Sequence, residues 1–267
     1  MRRLPIAIST LALVATLAPA PAGAQQSGNG RPSAALHVSE AYRSCFFDLR
    51  PGLSQSEFDA FTAELGSVLR FRQLGDSTTL RRGRIEVGVQ FADTSIDNSK
   101  GACNTTSQPA AAQIGRSFSY PQVAARFGVS DRVDIGAWGG YEPGANYGLV
   151  GVDTKIAVLR QGPSRPVSVS IRPSFATLIR PSKVWVGSAS VDLSVSRAFG
   201  PVSPYAGVAT STWLAVERLG DGHVDPATAD HSLAYAGLSY RWRALIVSGE
   251  VENGTRVSYA FRIGTRF

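Results

Sequence analysis

The chain has 267 residues, 43% of them hydrophobic and only 18% charged, with 27 glycines, two cysteines and a formal net charge of +7. Globular domains usually carry about a quarter charged residues and about 7% glycine. An ordinary cytosolic composition is therefore excluded, as are a disordered chain, since aliphatic and aromatic residues are plentiful, and a disulfide-dense scaffold. Nucleic-acid binding is not expected either: Lys100, Lys155 and Lys183 are the lysines, and the arginines are spread along the chain, densest at Arg81, Arg82 and Arg84.

Residues 1–24 read as a secretory signal peptide: Arg2 and Arg3, an apolar run from Leu4 to about Leu17, then Ala22-Gly23-Ala24 before Gln25. Its removal takes two arginines and lowers the net charge to about +5. No cysteine stands at the cleavage site, so a lipid-anchored terminus is not expected. Residues 25–34 form a polar linker. Residues 54–71 form a helix with Phe58, Phe61, Leu65, Val68 and Leu69 on one stripe, Ser54 and Glu57 as a capping box and Gly75 as a stop beyond its end. Phe46, Phe47 and Leu49 are candidates for the same small cluster.

Beyond residue 24 no run of 18 apolar residues occurs, so a membrane-crossing helix is not expected. From about Arg84 onward, apolar residues recur at every second position, the period of strands with two different faces. The predicted strands are 84–92, 117–129, 132–142, 146–159, 166–178, 184–197, 203–214, 231–242, 244–253 and 255–267. Turn residues mark several boundaries, notably Ser130-Asp131, Gln161-Gly162-Pro163, Gly200-Pro201 and Asn253-Gly254. The weak turn signal within 231–253 leaves eight or twelve strands as alternatives.

The faces separate cleanly. Val150, Val152, Ile156 and Val158, then Val191, Leu193 and Val195, share outward positions. Inward candidates are Glu86, Asp134, Asp153, Asp192, Glu250 and Glu252, against Arg84, Arg126, Lys155, Arg172, Arg256 and Arg262. Balanced signs favour a lumen filled by paired charges over an ion-selective ring.

The last segment, TRVSYAFRIGTRF, sets Val257, Tyr259, Phe261, Ile263 and Phe267 on one face. Thirteen alternating residues suit a tilted strand crossing a bilayer. An alternating aromatic final strand ending in phenylalanine resembles the carboxy-terminal signature of bacterial outer-membrane β-barrel proteins. The resemblance implies a Gram-negative outer-membrane location, lipid and lipopolysaccharide as surroundings, and recognition by the barrel-assembly machinery through Tyr259, Phe261, Ile263 and Phe267. It also makes the fold all-β: a transmembrane antiparallel up-and-down barrel over residues 81–267, preceded by a periplasmic linker and amphipathic helix over 25–80. With an even strand number, the odd connections face outward and should be longer. The longest, about 93–116 and 215–230, are both odd. The helix needs a partner surface, and its expected place is the periplasmic opening or simply ahead of the barrel, with insertion as a lumen plug the alternative.

In that topology Cys45 and Cys103 lie on opposite sides of the membrane and cannot bond; a bond between them would require the N-terminal segment to thread the barrel. Tyr120, Tyr141, Trp185, Trp213 and Tyr240 are girdle candidates near strand ends, although some, with Trp138, fall on inward positions. No cofactor is expected, and three scattered histidines without paired cysteines argue against zinc. A rim hydrolase could draw on Asp221, His223, Asp225, Asp230 and His231, with Asp93 and Asp97, but these residues form no motif, and the chain is read as non-enzymatic. The stretch Arg126–Gly136 is similar to hairpins of uncharacterised outer-membrane proteins and hydrophobic-solute transporters, which makes a small-solute channel the alternative to a structural or surface-interaction role.

Overall fold

A computed structural model of the chain describes residues 53–70, 72, 74–95, 117–142, 147–180, 183–218 and 224–267. The expected signal peptide, the 25–34 linker, Phe46, Phe47, Leu49 and both cysteines lie outside these residues. One helix, α1 (Gln55–Val68), precedes ten strands: β1 (Ile85–Ser95), β2 (Ser117–Ser130), β3 (Val133–Glu142), β4 (Tyr147–Leu159), β5 (Ser168–Ile179), β6 (Val184–Ser196), β7 (Val202–Glu217), β8 (Ala227–Trp242), β9 (Leu245–Asn253) and β10 (Val257–Arg266).

Each strand pairs antiparallel with its neighbours in sequence, and β1 pairs with β10 to close a ten-strand barrel. Closure runs in unbroken register from Glu86↔Arg266 to Thr94↔Ser258, and brings Val89 opposite Ile263 and Phe91 opposite Phe261. Aromatic and β-branched pairs of this kind stabilise a seam between the first and last strands. The final strand's outward set, Val257, Tyr259, Phe261 and Ile263, is exposed, as is Phe267 just beyond it.

The outer surface carries Val123, Val152, Val191, Val208, Leu238 and Val251, all exposed, on every side of the barrel. A continuous apolar belt of this extent is stable only against hydrocarbon. The strand period thus places one face in lipid and the other inside.

Connections 131–132, 160–167, 197–201 and 243–244 leave one end, called here the turn end, where β1 begins and Phe267 lies. Connections 96–116, 143–146, 180–183, 218–226 and 254–256 leave the other, the loop end. The boundary within 231–253 was hard to see because its two-residue turn contains no glycine or asparagine: Arg243 itself takes the left-handed conformation, with φ 53°. Strands β7 and β8 run beyond their expected limits of 214 and 231. Their extra inward residues, Ala215 and Ala227, are held by packing inside the loop end.

Candidate functional site

The lumen is occupied by the chain itself. Helix α1 starts on the expected capping box: the Ser54 amide donates to Glu57 Oε2 at 3.0 Å, and the Glu57 amide donates to Ser54 Oγ at 3.4 Å. These bonds satisfy amides that a helix start would otherwise leave open. Phe58, Phe61, Leu65 and Leu69 form its buried stripe, a turn apart and on one side. Their partners are inward residues of the loop end, among them Trp138, Tyr147, Leu149, Val184, Val186 and Trp213. Gln55 anchors the start by exchanging hydrogen bonds with the Asp225 backbone at 2.7 and 3.2 Å. Gly66 faces β7 and β8 so closely that a methyl there would overlap the His231 ring and stand 2.8 Å from Trp213 Cδ1.

The helix therefore lies inside the barrel at the loop end, the lumen position given as the alternative, and not ahead of the barrel. The physical reason is its apolar stripe: the loop-end lumen offers a matching apolar lining. Trp138 and Trp213, considered for the girdle or for inward packing, are core residues against the helix. Tyr141 and Tyr240 are exposed at strand ends, and Trp185 is half-buried. The Tyr120 side chain and Val68 side chain lie outside what is described.

After α1 the described residues of the segment to Leu80 meet the wall at successive levels down to the turn end. The helix stops at Val68 rather than at 71, because Arg70 and Arg72 both reach Glu252. Residues two apart share a side in an extended chain but not in a helix. Arg72 Nε donates to Glu252 Oε2 at 3.0 Å, and its Nη2 donates to Thr94 Oγ1 at 2.6 Å and to Ser258 Oγ at 3.3 Å. Gly75, expected to stop the helix, instead bends this lower segment with φ 145°. Below it, Lys155 Nζ donates to the Asp76 and Thr78 carbonyls at 2.9 and 3.1 Å. Ser77 donates to Ser194 Oγ at 2.9 Å and to Ser196 Oγ at 3.0 Å, and the Leu80 amide donates to both Asp134 oxygens at 3.0 Å. The chain then passes Arg81–Arg84 at the turn end and re-enters the wall as β1.

The wall supplies its own ion pairs. Asp153 meets Arg126 at 2.8 Å and Arg172 at 3.3 Å; Glu86 meets Arg262 at 2.8 Å and Arg266 at 2.6 Å. Asp192 accepts from Tyr235 Oη at 2.8 Å, and Glu250 is buried beside Glu252. Glu86, Arg126, Asp134, Asp153, Lys155, Arg172, Asp192, Glu250, Glu252 and Arg262 thus all face the lumen. Two expected members do not. Arg84 is exposed before β1, and Arg256 sits in the β9–β10 turn, where no barrel strand fixes its direction. Arg70, Arg72, Asp76 and Arg266 take part instead. The first three lay in a segment read as preceding the barrel; the spacing of Arg70 and Arg72, equal to that of Glu250 and Glu252, was the available signal.

Two spaces beside the descending segment, one near Leu74, Lys155 and Arg262 and the other near Arg70, Arg172 and Asp192, hold about 20 Å³ each, room for roughly one water. His231 points inward to Gly66, while Asp230 on the other face of β8 accepts from Thr212 Oγ1 at 2.6 Å. Asp225 is engaged by Gln55. Asp221, His223 and Asp97 lie outside the described residues. Because Leu53 and Ser95 both stand at the loop end, the reason for separating Cys45 from Cys103 by the membrane disappears.

No protein-family model and no curated protein matches the sequence. Among solved structures the chain is similar to Ail, the attachment invasion locus protein of Yersinia pestis, at 9% identity over 70% of this chain and 99% of that one, with a TM-score of 0.31. It is also similar to neisserial surface protein A at 13% identity, over 69% and 98%, TM-score 0.28. For the KdgM porin the values are 10% identity, 67% and 98%, and 0.32.

Proposed function

We propose that this outer-membrane β-barrel is a non-conducting, non-enzymatic surface element that carries its own N-terminal arm through the lumen to the cell exterior. The observation supporting this reading is the path of residues 53–80: in at the loop end, out at the turn end, with apolar packing above and charge-assisted hydrogen bonds below. The loop end takes the outer side because the longest connections leave it. Beside this chain, two spaces among the described residues hold about one water each, which supports a closed lumen. A rim hydrolase is disfavoured because His231 and Asp230 project to opposite faces of β8.

Planar-bilayer recording tests the closed lumen. The folded full-length protein should be silent, whereas a variant lacking residues 25–80 should conduct; stepwise conductance from the intact protein would support the channel alternative instead. Antibody labelling of an epitope inserted after Gly30 tests the direction of threading. The epitope should be reached on intact cells, and labelling only after the outer membrane is permeabilised would overturn the arrangement.

A further inference from the structure

The arginines that look dispersed in sequence are gathered in space. Arg81, Arg82, Arg84, Arg132, Arg160, Arg165, Arg197 and Arg243 are all exposed, and all lie at the turn end. None is held in an ion pair among the described residues, and Asp131 is the exposed acidic side chain among them there. Among the described residues of the loop end, Asp59, Asp225 and Asp230 are exposed beside Arg180 and Arg218, so no such excess of arginine is seen there. Among the described residues, the exposed positive charge is therefore concentrated as a collar on one rim.

That rim coincides with the edge of the apolar belt. Phe127, Val129, Phe199, Tyr240, Trp242 and Leu245 are exposed along it. The Arg197 guanidinium carbon stands 4.8 Å from the centre of the Phe199 ring, and that of Arg243 stands 5.3 Å from the Trp242 ring. A ring dipping into hydrocarbon with a cation above it places the charge at headgroup depth. Arg243 holds this position although its φ of 53° is one that glycine or asparagine adopts with less strain. Between the β4–β5 connection and the end of β6 the rim also opens into a cleft of about 360 Å³, lined by Thr78, Arg160, Gln161, Gly162, Ser168 and Ala198.

From this geometry we infer that the turn-end collar is a binding surface for anionic phospholipid headgroups, which it draws into the ring of lipid around that rim. Guanidinium groups match phosphodiester oxygens in charge and hydrogen-bonding geometry, and the neighbouring rings and aliphatic side chains bury the upper acyl chains. The inference uses the barrel's immersion in a bilayer, and no closed lumen or threading direction.

The test is lipid selectivity, read from spin-labelled phosphatidylglycerol and phosphatidylcholine in vesicles containing the folded full-length protein. The protein should hold phosphatidylglycerol at its surface about threefold over phosphatidylcholine at low salt, and the preference should shrink as salt rises. A variant with all eight collar arginines changed to Gln should lose the preference. The triple change Arg81→Gln, Arg82→Gln and Arg84→Gln, outside the strands, should weaken it if the larger set does not fold. Arg180→Gln with Arg218→Gln, at the loop end, should leave it unchanged. Equal binding of the two lipids by the wild type, retention of the preference in a folded collar variant, or its loss in the loop-end variant would each overturn the inference.

Discussion

The two halves of the lumen solve the same problem with opposite chemistry. On β5 the inward positions read Ser168, Ser170 and Arg172 toward the turn end, and then Ala176 and Leu178 toward the loop end. On β6, running the other way, they read Val184 and Val186 and then Ser194 and Ser196. The switch matches the guest. At the loop end the guest is a helix that satisfies its own backbone and needs only an apolar wall. At the turn end it is an extended chain whose amides and carbonyls require partners, and Asp134, Lys155, Ser194 and Ser196 supply them. A uniformly polar lining would leave the helix stripe unburied, and a uniformly apolar one would strand the backbone below it.

The sharpest way to break this division is to remove the apolar half. Phe61→Ala should cost the docked helix about 3 kcal/mol through lost burial and a cavity. Hydrogen exchange should then rise in α1 while the wall strands keep their protection, because strand pairing is independent of Phe61. An equal rise in β1–β10 would mean that wall and guest form a single cooperative unit. In the polar half, Glu252→Gln leaves Arg70 and Arg72 buried without their carboxylate, a loss of about 3 kcal/mol. Protease sensitivity should appear in residues 69–80 while the upper helix stays protected. Sensitivity of α1 to the same degree would erase the distinction between the halves.

The wall was readable from sequence because a strand between two solvents repeats every second residue, and ten such segments reinforced one another. The guest was less readable for an equally physical reason. Helix α1 announced its existence through Ser54, Glu57 and its stripe, but its binding surface is assembled from several strands and has no contiguous sequence. Trp138 was visible as an aromatic residue on an inward position and Trp213 as a girdle candidate near a strand end, and both belong to the apolar half of the lumen. In the charged half, the count of inward acids and bases balanced, yet it included Arg84 and Arg256, which lie outside the strands, and omitted Arg70, Arg72 and Arg266. A segment with neither strand nor helix period carries no directional signal, so its arginines could be assigned only once the lumen was known.

Gly66→Ala sharpens the boundary between the halves with a smaller effect. The added methyl meets the His231 ring and Trp213, which are fixed in the wall, so the helix must shift outward at a cost of about 1–2 kcal/mol. Ala favours the helix itself by up to about 1 kcal/mol, which offsets part of that cost. The net change should be a modest increase in hydrogen exchange centred on residues 62–69, and Gly66→Ala combined with Trp213→Phe should recover part of it by making room. No change in the single variant would mean that the helix does not approach β7 and β8 this closely.

The smallest expected effect is covalent and alters no packed contact. Residue 53 and residue 95 stand at the same end of the barrel; Cys45 lies eight positions before the first and Cys103 eight after the second, enough chain to span about 25 Å in an extended form. At the oxidising exterior Cys45 and Cys103 can then pass two protons and two electrons to a dissolved oxidant such as molecular oxygen and join as a disulfide. Protein unfolded without reductant should show no titratable thiol, and two after reduction. Because the bond would close a loop through the lumen segment and β1, it should slow release of the guest from a Phe61→Ala barrel and leave the wall unaffected. Two free thiols in the untreated protein would place the cysteines apart, and would remove the support that threading draws from them.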